Sequence, residues 1–474
     1  MTRTQRQNGA SSKPDAVVFV PSIGEEWTDQ SLELIARKMS RALALQKGGR
    51  IQYTIDLQDV DKFGGGTETV KLYSISEVDP NAKTKVKVFD LYEMNYRKEM
   101  IQNFEQKTLL IKSLEVLLTV ISNMGRVFGA FFRSFTVRRT NVQYQKGKDQ
   151  EWVEAKRKQN AAGITWLEKL QALYALVIFS MIAAYLILLF VSAVGVITAA
   201  GVKAVDALAS GGGSFDPVAV VQAVVSTPLG SLASLFLAVV TLLAGVTHKQ
   251  VSEFILGMIV DYICMVNYLN EDQNEGQRRK LIGQLQKFMD DIDYHSNSGY
   301  GRYVIVAFSF GSIIALDALF PKEGNRRGEV AGKTAVLFTI GSPFDLIRSF
   351  WNNFFEKRDV CGLELEWWNI FSRLDLLGSN FRNDDSAEDP HESYIFKSGE
   401  LCETGVKPKN IQYGGDMPIK LSFDFLLLAA LRAHAIYWDT HTDHSDAFAH
   451  VIERLYPPTP PASPQPIGAQ VQVP

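Results

Sequence analysis

The sequence predicts an α/β protein: a mostly parallel sheet flanked by helices, interrupted by a two-helix transmembrane hairpin. Three observations lead there. Continuous apolar runs such as Ala16-Val17-Val18-Phe19-Val20 and Tyr303-Val304-Ile305-Val306 have the character of strands buried on both faces. Segments with helical spacing of apolar residues alternate with them. Two long stretches without a single charged residue divide the chain.

Residues 1–14 are polar, lack the apolar centre of a signal peptide, and are expected to be disordered. Residues 15–95 form the amino-terminal part of the α/β domain. The first strand ends in the turn Pro21-Ser22-Ile23-Gly24, and Asp29 to Leu45 has helical periodicity. Ile51 to Leu57 and Thr69 to Ile75 alternate and flank Lys62-Phe63-Gly64-Gly65-Gly66, so they read as a strand pair. Lys85 to Tyr92 is a further strand.

Residues 96–163 are an amphipathic and basic juxtamembrane segment. Leu109 to Phe132 is apolar but interrupted by Lys112, Glu115 and Arg126, as in a helix lying on a membrane or covering a site. Residues 164–248 are the transmembrane hairpin. Ala172 to Val202 and Pro217 to Thr247 carry no charge, and each exceeds the roughly 20 residues a crossing needs. The connector, Lys203 to Asp216, is short and contains Gly211-Gly212-Gly213, so both flanks lie on one side. A basic excess before the first crossing (among others Arg133, Arg138, Arg139, Lys156, Arg157 and Lys158) assigns that side to the cytoplasm. The same run could bind anionic headgroups. Arg278-Arg279-Lys280 marks the far flank more weakly. The expectation is an integral membrane protein with two transmembrane helices, both termini and the α/β domain being cytoplasmic.

Residues 249–456 supply the carboxyl-terminal part of the domain. Val251 to Leu269 and Arg279 to Ile292 read as helices, followed by the strand before Ser309, a helix from Ile313 to Leu319, the strand Thr334 to Ile340, a helix from Pro343 and the strand Glu366 to Phe371. Neither half supplies a complete sheet alone, so the simplest solution is one domain built from both. Residues 457–474, opening on Pro457-Pro458-Thr459-Pro460-Pro461, form a Pro-rich, disordered tail.

Composition narrows the function. With 46% hydrophobic and 21% charged residues, a net charge of -3 and a pI of about 6.2, the chain is globular and gives no sign of binding nucleic acid. Cys264, Cys361 and Cys402 are far apart, fit a reducing compartment and read as free packed thiols. No cofactor motif is present.

The segment Ala307-Phe308-Ser309-Phe310-Gly311 follows an apolar strand and precedes a helical stretch. A serine between small residues at a strand–turn–helix junction is the setting that lifts a nucleophilic hydroxyl out of the backbone. Active groups gather at the carboxyl ends of strands in such sheets. Asp375, in Ser372-Arg373-Leu374-Asp375, follows the strand Glu366 to Phe371, and His434 comes later. A serine needs an imidazole to accept its proton, and the imidazole needs a carboxylate to orient it. Asp345 and Asp90 are rivals for the acid, and His441 and His444 for the base. Asp375 could instead cap a helix.

The order Ser, Asp, His, the strand with its early turn, the serine turn and Thr339-Ile340-Gly341-Ser342-Pro343 resemble the α/β-hydrolase superfamily, over roughly residues 15 to 95 and 250 to 455. The resemblance implies Ser309 as nucleophile, His434 as general base and then acid, and Asp375 as the orienting carboxylate. It also implies an oxyanion hole from the backbone N–H groups of Phe310 and Ile23. The sequence departs from the pattern at Ala307, where a glycine is usual, and at Pro21-Ser22, where His-Gly is usual.

The cluster His434, Asp439, His441, Asp443, His444, Asp446 and His450 matches no metal-ligand spacing, so no metal is expected. Ser445 could begin a helix burying Phe448, Val451 and Leu455. The leading expectation is a membrane-anchored serine hydrolase cleaving a carboxylic ester or thioester, with the bilayer and an acylated or lipid-like substrate as partners. The alternative is a catalytically inactive hydrolase-like scaffold that recruits lipid or protein. A transporter is a third class, but the two crossings offer few polar groups for a pathway.

Overall fold

The structure, a computed structural model, describes residues 13–23, 29–47, 51–60, 70–79, 84–97, 99–100, 264–269, 271–296, 299–322, 325–351, 353–372, 375, 378–381, 396, 405–412, 437 and 447–457. Both charge-free runs lie outside them. Among the described residues no helix is long and apolar enough to cross a membrane.

The elements, in chain order, are β1 (Asp15–Val20), α1 (Asp29–Gln46), β2 (Gln52–Val60), β3 (Val70–Asp79), β4 (Thr84–Glu93), α2 (Glu271–His295), β5 (Arg302–Phe308), α3 (Gly311–Leu319), α4 (Glu329–Gly332), β6 (Thr334–Ile340), α5 (Phe344–Phe350), β7 (Glu366–Phe371), β8 (Lys409–Gln412) and α6 (Ala447–Leu455). All eight strands form one sheet, ordered β2-β3-β4-β1-β5-β6-β7-β8. From β4 to β8 every neighbouring pair is parallel. β2, β3 and β4 make an antiparallel meander at one edge. β1 runs between β4 and β5, so strands from before residue 101 and after residue 263 share one ladder.

Alternation along the central strands splits the core in two. Ala16, Val18, Val20, Ile305 and Ala307 face one layer, with Leu281, Leu285 and Met289 of α2 and Ile313 and Leu316 of α3. Val17, Phe19, Val304, Val306 and Phe308 face the other, with Leu32, Ile35 and Met39 of α1 and Phe448, Val451 and Ile452 of α6. Both faces are therefore covered, which is why β1 and β5 read as unbroken apolar runs. Each fully buried aliphatic or aromatic side chain there contributes about 1.5–3 kcal/mol. β8, with the sequence Lys-Asn-Ile-Gln, carries one apolar residue and was not among the strands expected from sequence; it completes the sheet beyond β7.

The first layer also contains a charged cluster. Asp317 of α3, fully buried, accepts hydrogen bonds from Arg278 Nε (2.8 Å) and Nη2 (3.0 Å), from Arg358 Nη1 (2.5 Å) and from the Tyr268 hydroxyl (2.7 Å). Burial alone would push its carboxyl up, but the two guanidinium groups outweigh that and hold it below the ordinary carboxylate value.

Removing the charge leaves two buried cations sharing no anion. Asp317→Asn should therefore cost about 3–5 kcal/mol in chemical denaturation. The folded-state pKa is depressed, so the contribution is fully present above the unfolded carboxylate value near ~3.9 and disappears as pH falls through the folded one. Wild type should lose stability on acidification below about pH 4, and Asp317→Asn should lose less over the same window.

Candidate active site

The turn between β5 and α3 holds Ser309 at φ 51°, in the left-handed region. A non-glycine residue there carries about 1–2 kcal/mol of strain and persists only where its surroundings impose it. They do so from three sides. The Ser309 N–H donates to Ile340 O (2.8 Å), tying the turn to the end of β6. The Ser312 hydroxyl donates to Ala307 O (3.1 Å), and the Ser312 N–H to Ser309 O (3.0 Å). Gly311 lies so close to the exit of β1 that a Cβ would come within 2.3 Å of both Val20 O and Pro21 O. The Pro21 carbonyl is itself held by the hydroxyl of the buried Tyr96 (2.6 Å). The Ser309 hydroxyl makes no hydrogen bond with a described residue.

This packing brings the Pro21-Ser22-Ile23 turn against the start of α3. Ile23 and Phe310, the two expected oxyanion donors, are both buried there, and the Phe310 ring packs edge-on against Tyr268 at 5.2 Å. Phe310 takes helical angles (φ -63°, ψ -27°) as the residue before α3, a position whose N–H has no partner within the helix.

Two strands away, β7 delivers the acid. The carboxyl ends of β5 and β7 are separated by two strand spacings, about 10 Å. Asp375 is 2% exposed and its Oδ2 accepts from the Tyr437 hydroxyl (2.9 Å). The same hydroxyl accepts the Ser372 N–H (2.8 Å), so one phenol fixes both the carboxylate and the backbone entering its loop. Gly378 permits this: a Cβ there would lie 2.7 Å from Asp375 Oδ2 and 2.9 Å from the Tyr437 hydroxyl. Tyr437 also packs against Phe308, the residue before the serine (6.1 Å), so it reaches from the acid loop back to the serine strand.

A polar ladder under β6, β7 and β8 anchors the rest of that loop. Trp367 Nε1–H donates to Thr339 Oγ1 (3.1 Å), and the Thr339 hydroxyl donates to Asn369 Oδ1 (2.9 Å). Asn369 Nδ2 donates to Ser379 O (2.7 Å) and Asn410 Oδ1 (2.8 Å), and Asn410 Nδ2 donates to Asn380 O (2.9 Å). The Ser379 N–H then reaches Ser342 O after β6 (2.9 Å).

The rivals separate. Asp90 pairs with Ala16 near the start of β1, away from the carboxyl end where Ser309 lies, and is held by Ser74 Oγ (2.6 Å), the Tyr300 hydroxyl (2.6 Å) and Lys87 Nζ (3.1 Å). It serves the fold at the β3–β4 edge. Asp345, half-buried, is in the first turn of α5, at the carboxyl end of β6. His434, His441 and His444 lie outside the described residues. Tyr437, three residues after His434, is fully buried beside Asp375. His450 is on α6, 3.9 Å from Glu453. Neither Cys264, which is buried, nor Cys361 forms a disulfide among the described residues.

Reading the sequence missed Tyr437, Tyr96 and Gly378 as determinants of this corner, because they act through contacts distant in sequence. Gly311 was legible as the small residue two after the serine that lets strand and helix approach closely.

Two measurements check the geometry. Ser309→Gly should be more stable than Ser309→Ala by about 1 kcal/mol, reversing the usual preference for alanine, because only glycine adopts this φ without strain. Tyr437→Phe leaves the Ser372 N–H and Asp375 without their shared partner and should cost about 1–3 kcal/mol in thermal or chemical denaturation. Comparisons with models of known protein families, with curated proteins and with solved structures return no match.

Proposed function

We propose that the chain is a membrane-anchored serine hydrolase of the α/β-hydrolase kind, cleaving a carboxylic ester or thioester through an acyl-enzyme. The observation that carries this reading is the strained Ser309 at the junction of β5 and α3, a non-glycine residue held at φ 51°. Such strain is kept where a side chain must be presented in one direction. A buried carboxylate two strands along, braced by Tyr437, supports it.

In this mechanism His434 takes the proton from Ser309 Oγ as the oxygen attacks the substrate carbonyl. The carbonyl oxygen becomes an oxyanion held by the Phe310 and Ile23 N–H groups, each donor contributing about 3 kcal/mol in the transition state. The imidazolium returns the proton to the leaving alcohol or thiol. Water, deprotonated by the same imidazole, then releases the acid and frees Ser309. Asp375 holds the imidazole tautomer and stabilises the imidazolium. The charge-free runs would keep this chemistry beside the bilayer, which favours lipid-like or acylated substrates.

A fluorophosphonate probe should label the full-length protein, and Ser309→Ala should abolish the labelling. Asp375→Asn should lower kcat for a short-chain ester or thioester by roughly 10⁴-fold while leaving the chain folded. Well-folded wild type that takes no label would sink the enzymatic reading in favour of a non-catalytic scaffold.

A further inference from the structure

The direction of the Phe310 N–H depends on more than its own turn. The Phe310 ring is buried, and its edge-on contact, 5.2 Å between centroids and 86° between planes, comes from Tyr268, a residue distant in sequence. The hydroxyl of the same tyrosine donates to Asp317 Oδ2 (2.7 Å). Phe310 stands immediately before α3 with helical angles, and Asp317 follows it by two helical turns, so both lie on one side of that helix. Tyr268 is therefore a strut along this side, with its ring at the start of α3 and its hydroxyl further along.

Both ends of the strut are fixed. Arg278 and Arg358 supply three donors to Asp317, and the phenol fills the acceptor position that remains. The guanidinium carbon of Arg278 lies 5.7 Å from the Tyr268 ring centroid. Residues 264–269 are helical, so Cys264 stands one turn before Tyr268. The Cys264 thiol donates to Met100 O (3.8 Å), which also accepts from Gln277 Nε2 of α2 (3.0 Å). Met100, Cys264, Tyr268 and Phe310 all belong to the first core layer. An apolar ring contact tolerates sliding, whereas a ring tied to a held carboxylate cannot slide without losing a directional bond.

The strut acts on a peptide under tension. Ser309 is held at φ 51°, and strain of this kind persists only while the surroundings impose it. Relaxation of Ser309 would rotate the peptide that carries the Phe310 N–H. The Phe310 side chain leaves the backbone on the far side of that peptide, so a fixed ring opposes the rotation.

We propose that Tyr268 is a positioning residue for the oxyanion hole: its ring, anchored through Asp317, keeps the Phe310 N–H aimed at the developing oxyanion. This rests on the hydrolase reading above, in which Phe310 is one of the two donors. Tyr268 touches no reacting atom, and its effect passes through Phe310.

The test uses full-length protein in neutral detergent, with p-nitrophenyl butyrate as substrate and rates expressed per fluorophosphonate-reactive site. Tyr268→Phe keeps the ring and removes its anchor; Tyr268→Leu removes both. In the leucine variant kcat should fall by at least about tenfold, short of the ~10²–10³-fold cost of a lost donor, with KM unchanged. The phenylalanine variant should fall in between. Tyr300→Phe, which takes a phenol away from Asp90, far from Ser309, should leave kcat unchanged. A second readout separates aim from general loosening. An alkyl trifluoromethyl ketone accepts the Ser309 oxygen at its carbonyl carbon, the proton passing to His434, and the carbonyl oxygen becomes an oxyanion in the hole. Its affinity should fall in step with kcat/KM, whereas the non-fluorinated ketone of the same chain should bind as it does to wild type. Unchanged kcat in both Tyr268 variants, equal loss of affinity for the two ketones, or an equal fall in Tyr300→Phe would overturn the proposal while the wild type still cleaves ester. Wild type that neither takes the label nor cleaves ester would overturn the hydrolase reading, and this inference with it.

Discussion

The Ser309 corner depends on one close approach: the carbonyls of Val20 and Pro21 against the backbone of Gly311. Nothing larger than a hydrogen fits between them. With that contact in place, β1 and β5 end at the same level, the turn after β1 sits over the amino end of α3, and Ser309 has no room to relax toward ordinary angles. Tyr96 secures the other side by donating to Pro21 O. The serine geometry is thus a property of two strands and a tyrosine from β4's exit, not of five consecutive residues.

Polar contacts do elsewhere what apolar packing cannot. Apolar faces specify which side of a strand is buried but are tolerant of small shifts along it; directional bonds are not. At the carboxyl ends, Thr339, Asn369 and Asn410 lock β6, β7 and β8 to the loop that carries Asp375. At the amino ends, Arg302 forks onto Asp15 (2.6 and 3.1 Å), and the Tyr456 hydroxyl joins them (2.8 Å), fastening the end of α6 to both halves of the sheet. Asp317 performs the corresponding task between α3 and the elements above it. These groups are fully or nearly fully paired, which is the condition under which buried polar networks stabilise a unique arrangement.

Much of the architecture was legible because burial leaves a periodic trace. The strands Thr334–Ile340 and Glu366–Phe371 have the limits their apolar runs suggested, and Phe448, Val451 and Leu455 do face the core from one helix. Asp375 was legible as a candidate from its place after a strand. β8 was not, since an edge strand with one apolar residue leaves no pattern to detect. Strand order was equally hidden: nothing local says that Lys85 to Tyr92 pairs with β1 in parallel while also closing a meander. Tyr437 and Asp317 were invisible for a further reason. Their importance arises from partners 62 and 39 to 49 residues away, and an isolated tyrosine or aspartate gives no hint of them.

The placement of β1 has a consequence for how the chain is made. Its partner β5 begins at Arg302, far along the polypeptide, while β1 is complete at Val20. At about 5–20 residues per second of translation, its β5-facing edge waits on the order of tens of seconds without a neighbour. Throughout that interval the unpaired backbone N–H and C=O groups of this edge, between two faces of mostly apolar side chains, wait for a partner. This strand order therefore predicts that the edge is shielded during synthesis, by a holding factor or by a temporary fold of the first hundred residues.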